Sequence, residues 1–195
     1  MLNALFSLAL RTLQDPRTVA SEIIAMRLDR QMLWIALVLA VVLNTIVYQV
    51  SLVISPPPMD LPTVFSSPLL FAVLIGSGLV LSVFSLTYAG RVLGGKAVLE
   101  DIMSLLIWLQ YLRFAVQVAA LILTPVIPGL TGLLVFAASL YGIWLMLQFI
   151  DVGHGFNNML TSIGALGLSA LMIMLGMAIV LSIVGVQNMG LTPYV

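Results

Sequence analysis

The sequence predicts an all-α, polytopic integral membrane protein with five transmembrane helices and amphipathic interfacial helices at its N-terminus. Hydrophobic residues make up 62% of the chain and charged residues only 7%, and the mean hydropathy is +1.22. A soluble domain carries about 25% charged and about 45–50% apolar residues, so this chain cannot cover itself with a water-compatible surface. Several apolar segments are also long enough to cross a bilayer, and the basic residues cluster between them.

Residues 1–30 predict amphipathic cytoplasmic or interfacial helices. The first has a narrow polar stripe at helical spacing, formed by Asn3, Ser7, Arg11 and Gln14. Such a helix suits either the membrane interface or the surface of the protein's own spans. Asp15 and Pro16 are the N-cap and the first residue of a second helix. Because Arg11 interrupts the apolar start before any small-residue cleavage site, we expect this segment to be retained rather than removed as a signal peptide.

Residues 31–195 predict a five-helix transmembrane domain. A span needs about 20 apolar residues to cross about 30 Å of hydrocarbon. The first ends at Pro56, Pro57 and Pro58, which have no amide hydrogen to donate to a helix. The predicted spans cover about residues 31–54, 68–93, 109–127, 129–150 and 160–186.

The third apolar segment, residues 97–127, is longer than one perpendicular crossing. As a helix it would extend about 46 Å, against about 30 Å of hydrocarbon. We expect an interfacial helix over about residues 98–108, followed by the third span. A single long tilted helix is the alternative.

The basic residues predict the orientation. Arg11, Arg17, Arg27 and Arg30 precede the first span, and Arg91 and Lys96 lie between the second and third spans. In a five-span topology all six fall on one side, which the positive-inside rule places in the cytoplasm. The N-terminus is then cytoplasmic and the C-terminus lies on the opposite side. A four-span topology is the alternative.

The sequence resembles the bacterial branch of the Yip (Ypt-interacting protein) family. The resemblance rests on the helix that opens at Asp15-Pro16, the five spans, the turn at residues 94–97 and the pair Ile143-Trp144. It implies a five-span protein of the bacterial inner membrane, with a cytoplasmic N-terminus and a periplasmic C-terminus. The eukaryotic relatives act in vesicle traffic with small GTPases of the Rab type and carry a longer soluble N-terminal region. The family brings no enzymatic residues to this sequence.

Arg113 is the main candidate for an intramembrane polar site. It lies inside the third predicted span, where a charged side chain costs at least about 2.5 kcal/mol at mid-bilayer. Arg113 either snorkels to the cytoplasmic headgroups or points into the bundle beside Gln117, which is one helical turn away. Asn44 in the first span is a further intramembrane amide. In the second interpretation, Arg113 binds an anionic lipid headgroup, a quinone-like oxygen or a partner's carboxylate.

The remaining polar residues predict no catalytic centre, metal site or cofactor. Glu100 and Asp101 are adjacent and diverge by about 100° on a helix, so we interpret them as favourable charges at a helix start. His154 is expected to be a solvated loop residue, with a pH-sensitive contact or axial ligation of a haem as the functional alternative. Small residues at close spacing form a candidate helix-packing face: Gly78, Ser82, Ser85, Ala89, Gly164 and Gly167.

These observations favour a non-enzymatic membrane protein that acts through helix–helix contacts. The expected roles are a scaffold, an assembly factor or an accessory subunit of a larger membrane complex. Its expected partners are the lipid bilayer and other membrane proteins, and no basic field indicates nucleic-acid binding. A small transporter or channel with a polar site around Arg113 is the alternative.

Overall fold

A computed structural model of the chain describes residues 2–59 and 61–184, and most of these residues are helical. Eight helices lie within these residues: α1 (Leu2–Gln14), α2 (Pro16–Ala25), α3 (Arg30–Ile54), α4 (Thr63–Ser66), α5 (Pro68–Val92), α6 (Leu99–Leu123), α7 (Pro128–His154) and α8 (Met159–Val184). Five of them, α3, α5, α6, α7 and α8, are long and apolar enough to cross a membrane. The all-α, five-span prediction is confirmed. The predicted end of the fifth span, the C-terminal tail and Asp60 lie outside the described residues.

The third apolar segment forms one continuous helix, α6, and no break separates an interfacial helix at Trp108 from a following span. The structure therefore agrees with the alternative of a single long helix for this segment. The helix ends at Leu123, before the predicted boundary at residue 127. Its 25 residues extend about 37 Å at 1.5 Å per residue. That length exceeds the hydrocarbon thickness by only a few ångströms, so the proposed break is unnecessary.

Local sequence explains where the helices begin. Asp15 Oδ1 accepts a hydrogen bond from the Thr18 amide at 3.2 Å, and Pro16 occupies the first helical position of α2. At the start of α3, Asp29 Oδ2 accepts from the Gln31 amide at 3.0 Å. These caps satisfy amide groups that a helix N-terminus leaves without partners.

The ends of the long helices meet in a region that we call the basic end: the starts of α3, α6 and α8 and the ends of α5 and α7. Arg30 of α3 lies 3.9 Å from Glu100 of α6. The amide of Lys96 donates to the His154 carbonyl at 3.1 Å. The early basic residues and those at the turn between α5 and α6 therefore lie at the same end of the bundle, as the five-span topology requires.

The hydrophobic core is concentrated in the half of the bundle next to the basic end. On α6, residues 102–107 are buried, whereas no residue in 108–123 is. On α7, the buried residues fall at 145–154, apart from Thr131. A small cavity of about 10 Å³ lies there among eight apolar side chains, including Leu86, Leu105 and Phe149. The basic-end half is therefore closely packed, and the other half exposes more of each helix.

The two N-terminal helices dock on the spans near the basic end. Val19 and Ala20 of α2 pack with Leu105 and Phe149. The Trp108 indole donates to Thr12 Oγ1 at 3.1 Å. On the outer side of α1, Phe6, Leu10 and Leu13 stay exposed. One face of α1 thus packs on the protein's own spans, while its apolar side chains remain available to the membrane interface.

Candidate functional site

The strongest polar contact between α2 and the spans joins Arg17 to Asp151. Nη1 of Arg17 lies 2.7 Å from Oδ2 of Asp151. The Asp151 side chain is 1% exposed, whereas that of Arg17 is 48% exposed. An isolated buried carboxylate would carry a large desolvation penalty, so the arginine compensates a charge that α7 could not hold alone.

The other oxygen of Asp151 organises the turn between α7 and α8. Its Oδ1 accepts from the Asn158 amide at 3.0 Å and from Ser162 Oγ at 3.3 Å. Arg17 also donates to the side-chain oxygens of Gln148 at 3.3 Å and Asn157 at 3.4 Å. One ion pair therefore links α2, α7, the following turn and α8.

His154 is buried, and the expectation of a solvated loop residue is wrong. It is the last residue of α7 and only 2% exposed, because α7 continues through the segment that the sequence suggested as a loop. Its Nδ1 lies 3.2 Å from the Ile150 carbonyl. Nε2 is buried and has no hydrogen-bond partner among the described residues. The Phe156 ring stacks on the imidazole at a centroid distance of 5.1 Å.

Two glycines make room for this imidazole. A Cβ atom at Gly90 of α5 would lie 1.8 Å from His154 Nε2, and one at Gly95 would lie 2.5 Å from His154 Cδ2. Neither distance is compatible with a side chain. Gly90 and Gly95 therefore allow the end of α7 to approach the turn between α5 and α6 directly, and His154 fills the space.

We use the term clamp for the contacts that hold the helix ends together at the basic end. They are the contacts of Asp151 with Arg17, Asn158 and Ser162, and the packing of His154 against Gly90 and Gly95. Within the described residues, no group of three or more His, Cys, Asp or Glu side chains is placed to hold a metal ion. Asp101 Oδ2 accepts from the Val98 amide at 3.3 Å, which is a helix-start contact like the one predicted for the Glu100–Asp101 pair. These contacts hold the helix ends together.

The structure places Asn44 at the contact between α3 and α6, whereas Arg113 and Gln117 lie farther along α6. Asn44 is buried, and its Nδ2 donates to the Ala40 carbonyl at 2.8 Å and to the Gln110 carbonyl at 3.5 Å. Oδ1 of Asn44 and Oε1 of Gln117 are buried and lack hydrogen-bond partners in the described part of the chain. Arg113 is exposed.

The predicted helix-packing face divides into an inner and an outer part. Ser85 and Ala89 are buried within the bundle. Gly164 lies close to Leu93, whose Cδ1 would be 3.5 Å from an added Cβ. By contrast, a Cβ at Gly78 or Gly167 would meet no atom within 4 Å. Ser82 is half-buried, and its hydroxyl donates to the Gly78 carbonyl at 2.7 Å. The protein's own packing thus leaves Gly78 and Gly167 open.

Sequence reasoning missed the Arg17–Asp151 pair and the His154 position. The two partners are far apart in the sequence, and Arg17 was used only to predict orientation. Gly90 and Gly95 were the available sign of a close approach near His154, because glycine permits a contact that any Cβ would block.

Comparison with known families supports the predicted resemblance. A family model for the Yip1 domain matches residues 10–181, from within α1 almost to the end of α8. Neither the curated proteins nor the solved structures contain a match. The matched region includes all five candidate spans nearly in full and the clamp at the basic end. The chain belongs to the Yip1 domain family of membrane proteins.

Proposed function

We propose that this protein is a non-enzymatic membrane scaffold or accessory subunit that acts through contacts between its spans and those of partner proteins. The observation that carries the proposal is the open space at Gly78 on α5 and Gly167 on α8. Small residues allow close approach of helix backbones in lipid, where packing rather than the hydrophobic effect drives association.

The distribution of polar groups supports a role through contacts. Asp151 is held by Arg17, Asn158 and Ser162, so its carboxylate is occupied in maintaining the fold. The outer surface of α8 is apolar, with Leu171, Met174 and Leu175 among its exposed side chains. A partner helix would displace lipid from this surface and gain close packing at Gly167.

Leucine substitutions at the open glycines test the proposal. Because neither position has neighbouring atoms within 4 Å of an added Cβ, Gly78→Leu and Gly167→Leu should leave the bundle intact while blocking a partner helix. We expect the native chain to migrate within a larger complex on native gels after mild detergent extraction, and at least one variant to migrate as a smaller species. A native chain that migrates only as a free monomer would refute the proposal.

A matched control separates partner binding from the protein's own folding. A Cβ at Gly176 would lie 2.8 Å from Leu81 Cδ2, so Gly176→Leu disturbs the packing of α8 on α5. We expect Gly176→Leu to lower thermal stability, whereas Gly78→Leu and Gly167→Leu should retain the native melting temperature. If all three lower it equally, loss of the complex would reflect misfolding.

We also propose that the basic end faces the cytoplasm of a bacterial cell, at its inner membrane. The support is the concentration of Arg11, Arg17, Arg27, Arg30 and Arg91 outside or at the termini of the spans on one side. The chain has no cysteine, so single introduced cysteines can be labelled without background. The variants Arg27→Cys and Lys96→Cys should react with an impermeant maleimide only after the inner membrane is opened. Labelling in intact spheroplasts would show that the basic end faces away from the cytoplasm.

A further inference from the structure

Arg113 lies far from the start of its helix at the basic end. It follows Leu99, the first residue of α6, by fourteen positions, or about 21 Å at 1.5 Å per residue. Arg113 is exposed, and the ion pairs among the described residues, Arg11–Glu22, Arg17–Asp151 and Arg30–Glu100, do not include it. Within the described part of the chain, no acidic side chain compensates this cation on a membrane-crossing helix.

The position of Arg113 on α6 is the core-facing side of the helix. Leu106 and Leu109 pack in the main hydrophobic cluster, and Arg113 follows them by seven and four residues, so the three lie on one helix face. Burial on α6 ends at Ile107. Arg113 therefore comes just past the closed half of the bundle, where its side chain is accessible.

The nearby amides supply further hydrogen-bonding capacity. Gln117 lies one turn beyond Arg113 on the same face, and its buried Oε1 has no partner among the described residues. Gln110, one turn before Arg113, accepts from Asn44 through its carbonyl. A phosphate would accept from the guanidinium, and rotation of the Gln117 side chain would let its oxygen accept from a headgroup hydroxyl.

No carboxylate among the described residues forms an ion pair with Arg113. The carboxylates in the described residues, Asp15, Glu22, Asp29, Glu100, Asp101 and Asp151, belong to the N-terminal helices or to the basic end. The membrane itself supplies phosphates, to which arginine binds in a bidentate geometry.

The depth of Arg113 suits a lipid headgroup from the leaflet at the basic end. The Trp108 indole bonds to Thr12 of the amphipathic α1, and tryptophan favours the membrane–water interface. Arg113 lies five residues beyond Trp108, or about 7 Å along the helix. Long helical side chains extend toward the helix N-terminus, which for α6 is the basic end. Snorkelling therefore brings the guanidinium toward the headgroups.

We propose that Arg113, with Gln117 beside it, binds the phosphate of an anionic phospholipid where α6 is exposed beyond its buried residues 102–107. This site is independent of the open glycines at Gly78 and Gly167. Bound lipid compensates the arginine charge and occupies the less closely packed half of the bundle. One lipid molecule is then bound at a defined position on the folded protein.

Native mass spectrometry of the full chain, released from nanodiscs containing phosphatidylglycerol and phosphatidylcholine, tests this site. We expect phosphatidylglycerol to remain bound to the native chain in preference to phosphatidylcholine. Arg113→Gln should weaken its retention about tenfold, equivalent to about 1.4 kcal/mol, and Arg113→Lys should retain part of the binding. Gln117→Leu should weaken it less than Arg113→Gln.

Two controls give the experiment its power to refute. Arg30→Gln removes an exposed charge at the basic end and should leave retention unchanged, so an equal loss there would indicate diffuse charge attraction. Millimolar inorganic phosphate should not displace the lipid, and displacement would assign the site to a free anion. Unchanged phosphatidylglycerol retention by Arg113→Gln, with a native melting temperature, would overturn the proposal.

Discussion

Arg17 Nη1 and Asp151 Oδ2 lie 2.7 Å apart, with the aspartate buried and the arginine half exposed. The pair connects an N-terminal amphipathic helix to the end of a membrane-crossing helix. Because Asp151 also accepts from Asn158 and Ser162, the same carboxylate positions the start of α8. The N-terminal helices are therefore attached to the transmembrane domain by charge as well as by apolar packing.

Removing the Asp151 carboxylate should destabilise the bundle. Asp151→Ala leaves the Asn158 amide without its acceptor, leaves the Ser162 hydroxyl only the Asn158 carbonyl, and removes the ion-pair partner of Arg17. Loss of one partner from a buried pair costs about 3–5 kcal/mol, and the exposure of Arg17 reduces the expected loss to about 2–3 kcal/mol. Asp151→Asn should lose less, since its amide oxygen still accepts from Asn158. Thermal unfolding in detergent, followed by tryptophan fluorescence, measures both.

A double-mutant cycle isolates the ion pair itself. Arg17→Gln, Asp151→Asn and the double variant should give a coupling energy of about 1–2 kcal/mol. The corresponding cycle for Arg30 and Glu100, which are 3.9 Å apart and exposed, should give a smaller value. Equal coupling in the two pairs would show that burial of Asp151 adds nothing.

Gly90 should not tolerate alanine unless His154 is also reduced in size. The added Cβ would lie 1.8 Å from His154 Nε2, so α5 and α7 would have to separate, at about 1–3 kcal/mol. Gly78→Ala on the same helix meets no atom within 4 Å and should be neutral or gain up to about 1 kcal/mol from helix propensity. The melting temperatures of the two variants provide the comparison.

Compensation at His154 distinguishes a direct contact from a general effect on α5. We expect Gly90→Ala combined with His154→Ala to melt above Gly90→Ala alone, because the smaller residue leaves room for the new methyl group. If the double variant is the less stable of the two, the imidazole is not what excludes a side chain at Gly90.

The fold was predictable because lipid imposes a simple rule on the sequence. A membrane-crossing helix must be apolar for about 20 residues, and the helices α3, α5, α7 and α8 follow that rule. Proline or glycine marks an end of α3, α5 and α7. Segment 97–127 misled the interpretation because length alone suggested a break at Trp108. The structure instead ends α6 at Leu123, and residues 124–127 form the connection to α7.

The clamp was less predictable because its partners meet only in three dimensions. Helical spacing identifies which residues share a face of one helix, such as Arg113 and Gln117, but not which helices are neighbours. Asp151 and His154 were assigned to a loop, since the glycines at 153 and 155 suggested an earlier end to α7. Gly155, at φ +68, does end the helix, but Gly153 lies within it.

Arg27 occupies a backbone conformation that favours glycine. Its φ is +44, in the left-handed region, where a residue with a Cβ is strained by about 1 kcal/mol or more. Arg27→Gly should therefore raise the melting temperature by about 2–4 °C for a chain of this size. Arg27→Ala removes the same charge but keeps the Cβ and should give no gain. Equal gains from glycine and alanine would assign the effect to charge rather than to backbone strain.

The cap at Asp15 should make the stability of α2 depend on pH. Hydrogen bonding from Thr18 lowers the pKa of the Asp15 carboxyl below its ordinary value of 3.8. A carboxyl whose pKa is lower in the folded state contributes stability that is present above pH 3.8 and is lost as the pH falls through the folded-state value.

Other carboxylates titrate in the same range, so the informative quantity is the difference between the native chain and Asp15→Asn. We expect Asp15→Asn, which keeps a capping oxygen without the charge, to lose less stability than the native chain between pH 5 and about pH 3. Amide hydrogen exchange in α2 measures this directly, and an identical pH dependence of the two proteins would show that the Asp15 cap does not titrate with folding.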